Sequence, residues 1–264
     1  MATTAPPQFD VTLLRDAIRD TYERVARDPA DIFHFHRGRD YAVRLLGYDA
    51  AELDALPQAA TDRFAGVGNP LQIGPLEPGE TVLDHACGAG TDLLLAARRV
   101  GAFGRAIGVD ITPGMRAVAE RAVALAGLGE RVEIRAGSYE ALPVASGSVD
   151  VVLSNGVVNL SPDKRRVFDE VWRVLRPGGR LYLADVVVAR ELKLEVRQQP
   201  ELWAACIAGA LPEPELVALA RDAGFVDPKT LAHFECFAGT DAEHKVSRDL
   251  RVRGVNFFAR KPAA

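Results

Sequence analysis

The chain has 264 residues, enough for one sizeable α/β domain with an appendage and too few to expect two large domains. Hydrophobic residues make up 48% and charged residues 26%, and the formal net charge of −4 comes without a basic block, which disfavours a nucleic-acid backbone as partner. Three cysteines, Cys87, Cys206 and Cys236, stand far apart and fit free thiols better than a disulfide framework; with no secretory leader pattern and no run of about 18 apolar residues, a cytoplasmic protein without a membrane span is expected.

After a start expected to be frayed, Val11, Leu14, Ile18, Tyr22 and Val25 recur in steps of three and four and predict an amphipathic helix. Residues 1–75, which continue through Phe33, His34, Phe35, His36 and Tyr41 to a Gly- and Pro-marked loop at Phe64–Pro70, are expected to form an N-terminal helical cap on a domain of residues 76–264. From Glu80 onward, short apolar runs alternate with helical stretches, the sequence form of βαβ units in a doubly wound, mostly parallel sheet. Strands are predicted at Thr81–Leu83, Ala106–Val109, Val132–Arg135, Val149–Ser154 and Arg180–Asp185, and helices at Thr91–Val100, Pro113–Ala126, Lys164–Leu175 and Glu213–Ala223. Two late runs, Ala232–Phe237 and Val255–Ala259, read as an antiparallel edge hairpin.

The most informative stretch is Val82-Leu83-Asp84-His85-Ala86-Cys87-Gly88-Ala89-Gly90-Thr91-Asp92, a strand running through glycines into a helix. Glycine lets a ligand lie against the backbone, and the helix start offers free N–H groups and the positive end of the peptide dipole, which suits a cofactor carrying a carboxylate. Asp110 ends the next strand, where it can accept ribose hydroxyls or serve as an N-cap before Pro113. No third glycine follows Gly88-x-Gly90, because Leu93 stands there, so the pattern favours a cofactor without a pyrophosphate. A dinucleotide-binding oxidoreductase and a non-catalytic binding module are the competing classes.

Taken together, Leu83-Asp84-x-x-Cys87-Gly88-x-Gly90, Gly108-Val109-Asp110, Ser148-Val149-Asp150-Val151-Val152 and Leu175-Arg176-Pro177-Gly178-Gly179-Arg180-Leu181 resemble the ordered motifs of class I S-adenosylmethionine-dependent methyltransferases. The resemblance implies a seven-stranded sheet in the order 3-2-1-4-5-7-6 with strand 7 antiparallel, and S-adenosylmethionine as cofactor. It also implies that Asp84, Ala86, Gly88 and Gly90 hold the methionine portion, Asp110 the ribose, and Ile111 one adenine face. Ser138 and Tyr139 fall where the family often has an acidic residue near the adenine amino group, and Asn155 is expected to face the sulfonium end.

Within that class, Phe64-Ala65-Gly66-Val67-Gly68-Asn69-Pro70, Gly137-Ser138-Tyr139-Glu140-Ala141-Leu142-Pro143, the segment from Ser154 to Lys164 and Cys206-Ile207-Ala208-Gly209-Ala210-Leu211 resemble arsenite methyltransferases and their relatives. Those enzymes hold As(III) through several thiolates, soft ligands for a thiophilic centre. Only Cys206 matches such a position; Gly156 stands where another cysteine is expected, and nothing up to Pro70 is a cysteine. Cys87 reads as a packed residue in the cofactor loop and Cys236 as core of an edge strand, while Cys206 reads equally as a ligand or as a buried helix residue beside Trp203 and Ile207.

The acceptor is therefore expected to be a small molecule methylated at O, N, C or S, with arsenic still open and the oligomeric state undetermined. Five histidines are present, of which His34 and His36 in the cap are candidate general bases, His85 sits in the cofactor loop, and His233 and His244 read as structural or surface residues. The catalytic candidates are Cys206, Asn155 and His36. No cluster at metal-ligand spacing occurs, so no metal is expected.

Overall fold

The computed structural model describes residues 3–7, 9–204, 206–240, 243 and 250–263; His244 lies outside them. Its strands are β1 (Thr81–Asp84), β2 (Arg105–Asp110), β3 (Val132–Ala136), β4 (Val149–Asn155), β5 (Leu175–Val188), the two-residue β6 (Leu211–Pro212), β7 (Val226–Phe234) and β8 (Arg253–Arg260). They form one sheet in the order β3-β2-β1-β4-β5-β8-β7, with β6 paired to β5. Setting β6 aside, this is the expected order 3-2-1-4-5-7-6. The pairings from β3 through β5 are parallel, and β8 runs antiparallel to both β5 and β7.

The helices are α1 (Val11–Arg27), α2 (Arg39–Leu46), α3 (Ala50–Asp54), α4 (Gln58–Thr61), α5 (Thr91–Arg99), α6 (Pro113–Leu125), α7 (Lys164–Val174), α8 (Leu194–Arg197), α9 (Pro200–Ala204) and α10 (Glu213–Asp222). Central strands read as unbroken apolar runs because helices cover both faces of the sheet: Val149, Val151, Val152 and Leu153 of β4 are all fully buried. Each crossover returns the chain to the same sheet edge, so the loops after β1, β2 and β4 meet at the carboxyl ends of the strands, where an open α/β sheet binds ligands.

α1 begins where the Asp10 side chain accepts a hydrogen bond from the Leu13 amide at 2.9 Å. Its inner face, Leu14 and Ile18, joins the same apolar cluster as Leu93 and Leu94 of α5 and Val151 of β4. Burying side chains of this size stabilises by about 1.5–3 kcal/mol each. Two polar ties fix the helix further: Glu23 accepts the Gly114 amide at the start of α6 at 2.9 Å, and Arg15 pairs with the buried carboxylate of Glu140 at 2.6 Å. The first of these supplies from another helix the cap that Thr112 does not give α6 with its own side chain.

Four expectations need correction. The start is not frayed throughout: Lys164 donates its amide to Thr3 and Ala5 donates to Pro162, which extends the chain beside the entrance to α7. The edge strand runs Val226–Phe234 rather than Ala232–Phe237, because both its faces are partly exposed and it lacks the apolar alternation by which a half-buried strand is recognised. Cys236 therefore sits in the turn after β7, still buried, against Gly254 of β8. Cys206 is not a helix residue; it follows α9 with a left-handed backbone, φ 60°.

Candidate cofactor cleft

The glycine loop after β1 opens on a cleft of about 820 Å³, counting the part open to solvent, at the carboxyl edge of the sheet. Asp84, Ala86, Gly88, Asp110, Ile111, Tyr139 and Asn155, all singled out from the sequence, line it together. Ile18 and Tyr22 of α1 and Phe64, Ala65 and Gly66 of the loop after α4 face them. The N-terminal helices thus supply one wall.

Gly88 has φ 52°, and a Cβ built on it would meet nothing within 4 Å, so the missing side chain leaves open space on the cleft side. Gly90, with φ 93°, is the N-cap of α5; a Cβ there would lie 3.4 Å from Ala119, so this glycine serves the packing of α6 against the loop and does not line the cleft.

Asp110 uses both carboxylate oxygens on backbone amides, Oδ2 accepting from Gly88 at 2.9 Å and Oδ1 from Thr112 at 2.8 Å. The Thr112 side chain adds to these bonds. The cap-like reading and the ligand reading are compatible here: a carboxylate has about four acceptor sites, so acceptor capacity is left for a ligand hydroxyl. Ile111 follows with 45% of its surface exposed, an apolar side chain left uncovered beside the cleft.

Three carboxylates share this wall. Burial first, then the neighbouring Asp92 and Asp110, raise the Asp84 carboxyl well above its ordinary 3.8, with a hydrogen bond from the backbone of Ala86 pulling the other way. Burial also raises Asp92 and Asp110 against the hydrogen bonds each receives. So much buried acid favours a cationic ligand, whose charge offsets the repulsion.

Asp92 belongs to a network with no counterpart in the sequence patterns. The Tyr48 hydroxyl donates to Asp92 at 2.7 Å, and the Asn155 amide donates to the second Asp92 oxygen at 3.0 Å and to the Gly68 carbonyl at 3.1 Å. The Asn155 carbonyl oxygen accepts the Val67 amide at 2.8 Å. Asn155 does border the cleft, but its amide is spent on holding the loop after α4 across β4.

Other candidates lie elsewhere. His36 stacks on Tyr41 and bonds the Ala238 carbonyl at 2.7 Å, so its ring is committed to the protein and does not line the cleft. His34 packs edge-on against Phe35. Ser138 also lies off the cleft wall, its hydroxyl accepting the Glu140 amide at 3.1 Å in a local turn. His85 lines the cleft but turns its Nε2 to the Ser154 hydroxyl at 2.7 Å, and burial lowers it to about 4, so the ring is neutral. His233 pairs with Glu213.

The three thiols are buried. Cys206 does not line the cleft; burial, with Asp185 nearby, pushes its thiol up to about 12. Cys236 is close enough that ionising one of this pair opposes ionising the other. Cys87 packs beneath the glycine loop, where a Cβ on Gly108 would come within 2.8 Å of its sulfur. Among the described residues no group of three or more metal-type ligands occurs. No helix among them is long and apolar enough to cross a membrane.

A methyltransferase domain family matches residues 76–241. The arsenite methyltransferase of Halobacterium salinarum is 43% identical over 222 residues, 83% of this chain and 56% of that protein, and the human arsenite methyltransferase is 38% identical over 156 residues, 56% and 42%. The chain spans about half the length of the curated relatives it matches. Among solved structures, an arsenic(III) S-adenosylmethionine methyltransferase from Chlamydomonas reinhardtii superposes with a TM-score of 0.69 at 36% identity, covering 81% of this chain and 73% of that one. A [4+2]-cyclase, SpnF, superposes over 99% of this chain and 98% of its own with a TM-score of 0.64 at 20% identity, a likeness of fold alone.

Proposed function

The chain belongs to the methyltransferase domain family, and we propose that it is an S-adenosylmethionine-dependent methyltransferase acting on a small organic molecule. The observation that carries the reading is the convergence of Gly88, with open space where a side chain would stand, and three buried carboxylates, Asp84, Asp92 and Asp110, on one cleft. A ligand with a sulfonium and an ammonium matches that charge, and the remaining acceptor capacity of Asp110 suits a ribose hydroxyl.

S-adenosylmethionine supplies a methyl group already activated by the positive sulfur. What falls to the protein is geometry and exclusion of water. Asp84, Ala86 and Gly88 would hold the amino-acid portion, Asp110 the ribose, and Ile111 with Tyr139 the adenine. Ile18 and Tyr22 close the cleft from α1, and Asn155, through Gly68 and Val67, sets the position of the loop that bears Phe64 and Ala65. In this reading residues 1–75 act as a cap on the remainder and not as an independent unit.

The acceptor end supports an organic substrate. Gly156 is bordered by Val67, whose Cγ1 would be 3.5 Å from a Cβ on that glycine, and Val157 and Leu160 continue an apolar wall. Of the three cysteines only Cys87, in the glycine loop, lines the cleft, so no pair of thiols meets there among the described residues. Kinship with arsenite methyltransferases favours a second reading, in which an arsenical carrying its own sulfur ligands is taken with help from Cys206.

The test is calorimetric titration with S-adenosylhomocysteine and with NAD, followed by transfer of labelled methyl groups to a panel of small hydroxyl, amine, carbon-acid and thiol compounds and to glutathione-bound arsenite. Binding of the homocysteine compound alone and labelling of an organic acceptor are expected. Binding of NAD in its place would overturn the cofactor assignment, and labelling of the arsenical alone would overturn the acceptor class.

A further inference from the structure

The cleft wall carries one cationic side chain among the described residues, Arg63, in the turn after α4. Its Nε donates to the Ala26 carbonyl at the end of α1 at 2.7 Å, and Nη1 donates to the Ala59 carbonyl in α4 at 3.1 Å. Those two bonds hold the guanidinium plane without neutralising it: no carboxylate among the described residues lies within ion-pair distance of Arg63. A guanidinium has five N–H donors, so about three are left, including both on Nη2.

The position along the cleft follows from the packing. Ala26 and Ala59, the residues whose carbonyls hold Arg63, belong to one apolar cluster with Ala89, the middle residue of the Gly88-Ala89-Gly90 turn. α4 is also tied to the first residue of α5, since the Thr91 hydroxyl donates to the Ala60 carbonyl at 3.1 Å. Arg63 is therefore on the helix wall that packs against the glycine loop.

We propose that Arg63 anchors the carboxylate of the cofactor's amino-acid end, and that it does so only while α1 and α4 are docked; this rests on the S-adenosylmethionine reading above. The charges correspond group by group. The ligand brings a sulfonium, an ammonium and one carboxylate; the cleft brings three buried acids and one preoriented guanidinium. A carboxylate beside Asp84, Asp92 and Asp110 meets repulsion unless a cation receives it, and a planar fork is the geometry that takes both its oxygens. Because the fork is held by carbonyls of two different helices, displacing either helix removes the anchor, which links closure of the N-terminal wall to capture of the amino-acid end.

The discriminating ligands are S-adenosylhomocysteine, which carries the carboxylate, and 5′-methylthioadenosine, which keeps the nucleoside and the sulfur but has no amino-acid group. By calorimetry, Arg63→Ala is expected to weaken S-adenosylhomocysteine about 10- to 100-fold, the scale of charge-assisted hydrogen bonds, and to leave 5′-methylthioadenosine within about twofold of the unaltered protein. Arg63→Lys, which keeps the charge but not the double tether, should fall between. Equal loss for both ligands would show that Arg63 merely holds the helices in place, and unchanged affinity for both would show that the carboxylate binds elsewhere; either overturns the proposal. Failure of the unaltered protein to bind either ligand would instead remove the cofactor reading on which it rests.

Discussion

The carboxylate of Asp110 receives the Gly88 amide at 2.9 Å, so the end of β2 and the loop after β1 are joined through one side chain. The same group thereby shapes the loop that faces the ligand and presents its remaining acceptor sites to that ligand. Asp110→Ala is expected to weaken S-adenosylmethionine by about 2 to 3 kcal/mol, from loss of hydrogen bonds to a charged acceptor. Asp110→Asn keeps one acceptor oxygen and should lose less. Near-unchanged affinity in a folded Asp110→Ala protein, measured by calorimetry, would sink the ribose assignment.

The raised carboxyl groups make cofactor binding pH-dependent. Asp84 is protonated to a higher pH than its ordinary 3.8 because of burial and the nearby Asp92 and Asp110. A carboxyl whose folded value is raised binds more protons folded than unfolded, so its contribution to stability is fully present below 3.8 and declines as pH rises through the elevated value. A cationic ligand reverses the preference by stabilising the ionised form. S-adenosylmethionine affinity should therefore climb with pH through the acid range and then level off. S-adenosylhomocysteine, without the sulfonium charge, should climb less. Parallel profiles for the two ligands would show that the acids do not sense the sulfur.

Much of this arrangement is legible in the sequence because it rests on backbone requirements. Gly88 must leave space, Asp110 must end a strand, and buried strands such as β4 must be apolar on both faces. Those constraints act within a few residues of one another and leave patterns. The role of Arg63 leaves none: its partners are the carbonyls of Ala26 and Ala59, which any residue would offer, so no residue type marks the contact. Asn155 is visible as a polar residue ending β4, but its engagement with Asp92 and Gly68 depends on how far the loop after α4 folds back. His36 illustrates the opposite error, since a histidine between Phe35 and Arg37 looks chemically ready while its ring is taken up by Tyr41 and the Ala238 carbonyl.

A buried cation offers a test of the packing itself. Lys164, fully buried, donates to the Ser161 carbonyl at 2.9 Å and stands 4.5 Å from the centre of the Trp203 ring, and burial lowers its ammonium from 10.5 to about 7. A lysine with a lowered folded value is protonated more readily in the unfolded chain. Its ionisation therefore favours unfolding from about pH 7 up to 10.5, and stability should rise as pH rises through that window. Up to about pH 8, a full unit below the ordinary 9 of the thiols, cysteine titration adds little. Chemical denaturation between pH 7 and 8 should show this rise, and Lys164→Met, which fills similar space without the charge, should flatten it. A slope that survives in Lys164→Met would assign the effect to another group.

Arsenic is where kinship and local chemistry diverge. Relatives across most of the chain are arsenite methyltransferases, yet tight capture of As(III) calls for two or three thiolates at one point, and a shared scaffold does not carry over a site whose ligands are replaced. Here Gly156, Val157 and Leu160 border the cleft without sulfur, and Cys206 stands off its wall with a thiol raised to about 12. Cys236 is the thiol close enough to influence Cys206, while Cys87 is buried under the glycine loop beside β2. Methylation of glutathione-bound arsenite should accordingly be slow, at least tenfold below that of the preferred organic acceptor, and should quicken as pH rises toward the thiol range. Cys206→Ser should abolish what activity there is, Cys236→Ser should reduce it, and Cys87→Ser should leave it intact so long as cofactor affinity is unchanged. Adding cysteines at two bordering positions, as Val157→Cys with Leu160→Cys, should raise arsenite turnover, because those residues lie on the cleft itself. If the unaltered protein turns over arsenite efficiently and Cys206→Ser does not slow it, the thiol ligands assigned here are the wrong ones; if the added pair brings no gain, the acceptor is bound away from the Gly156 wall.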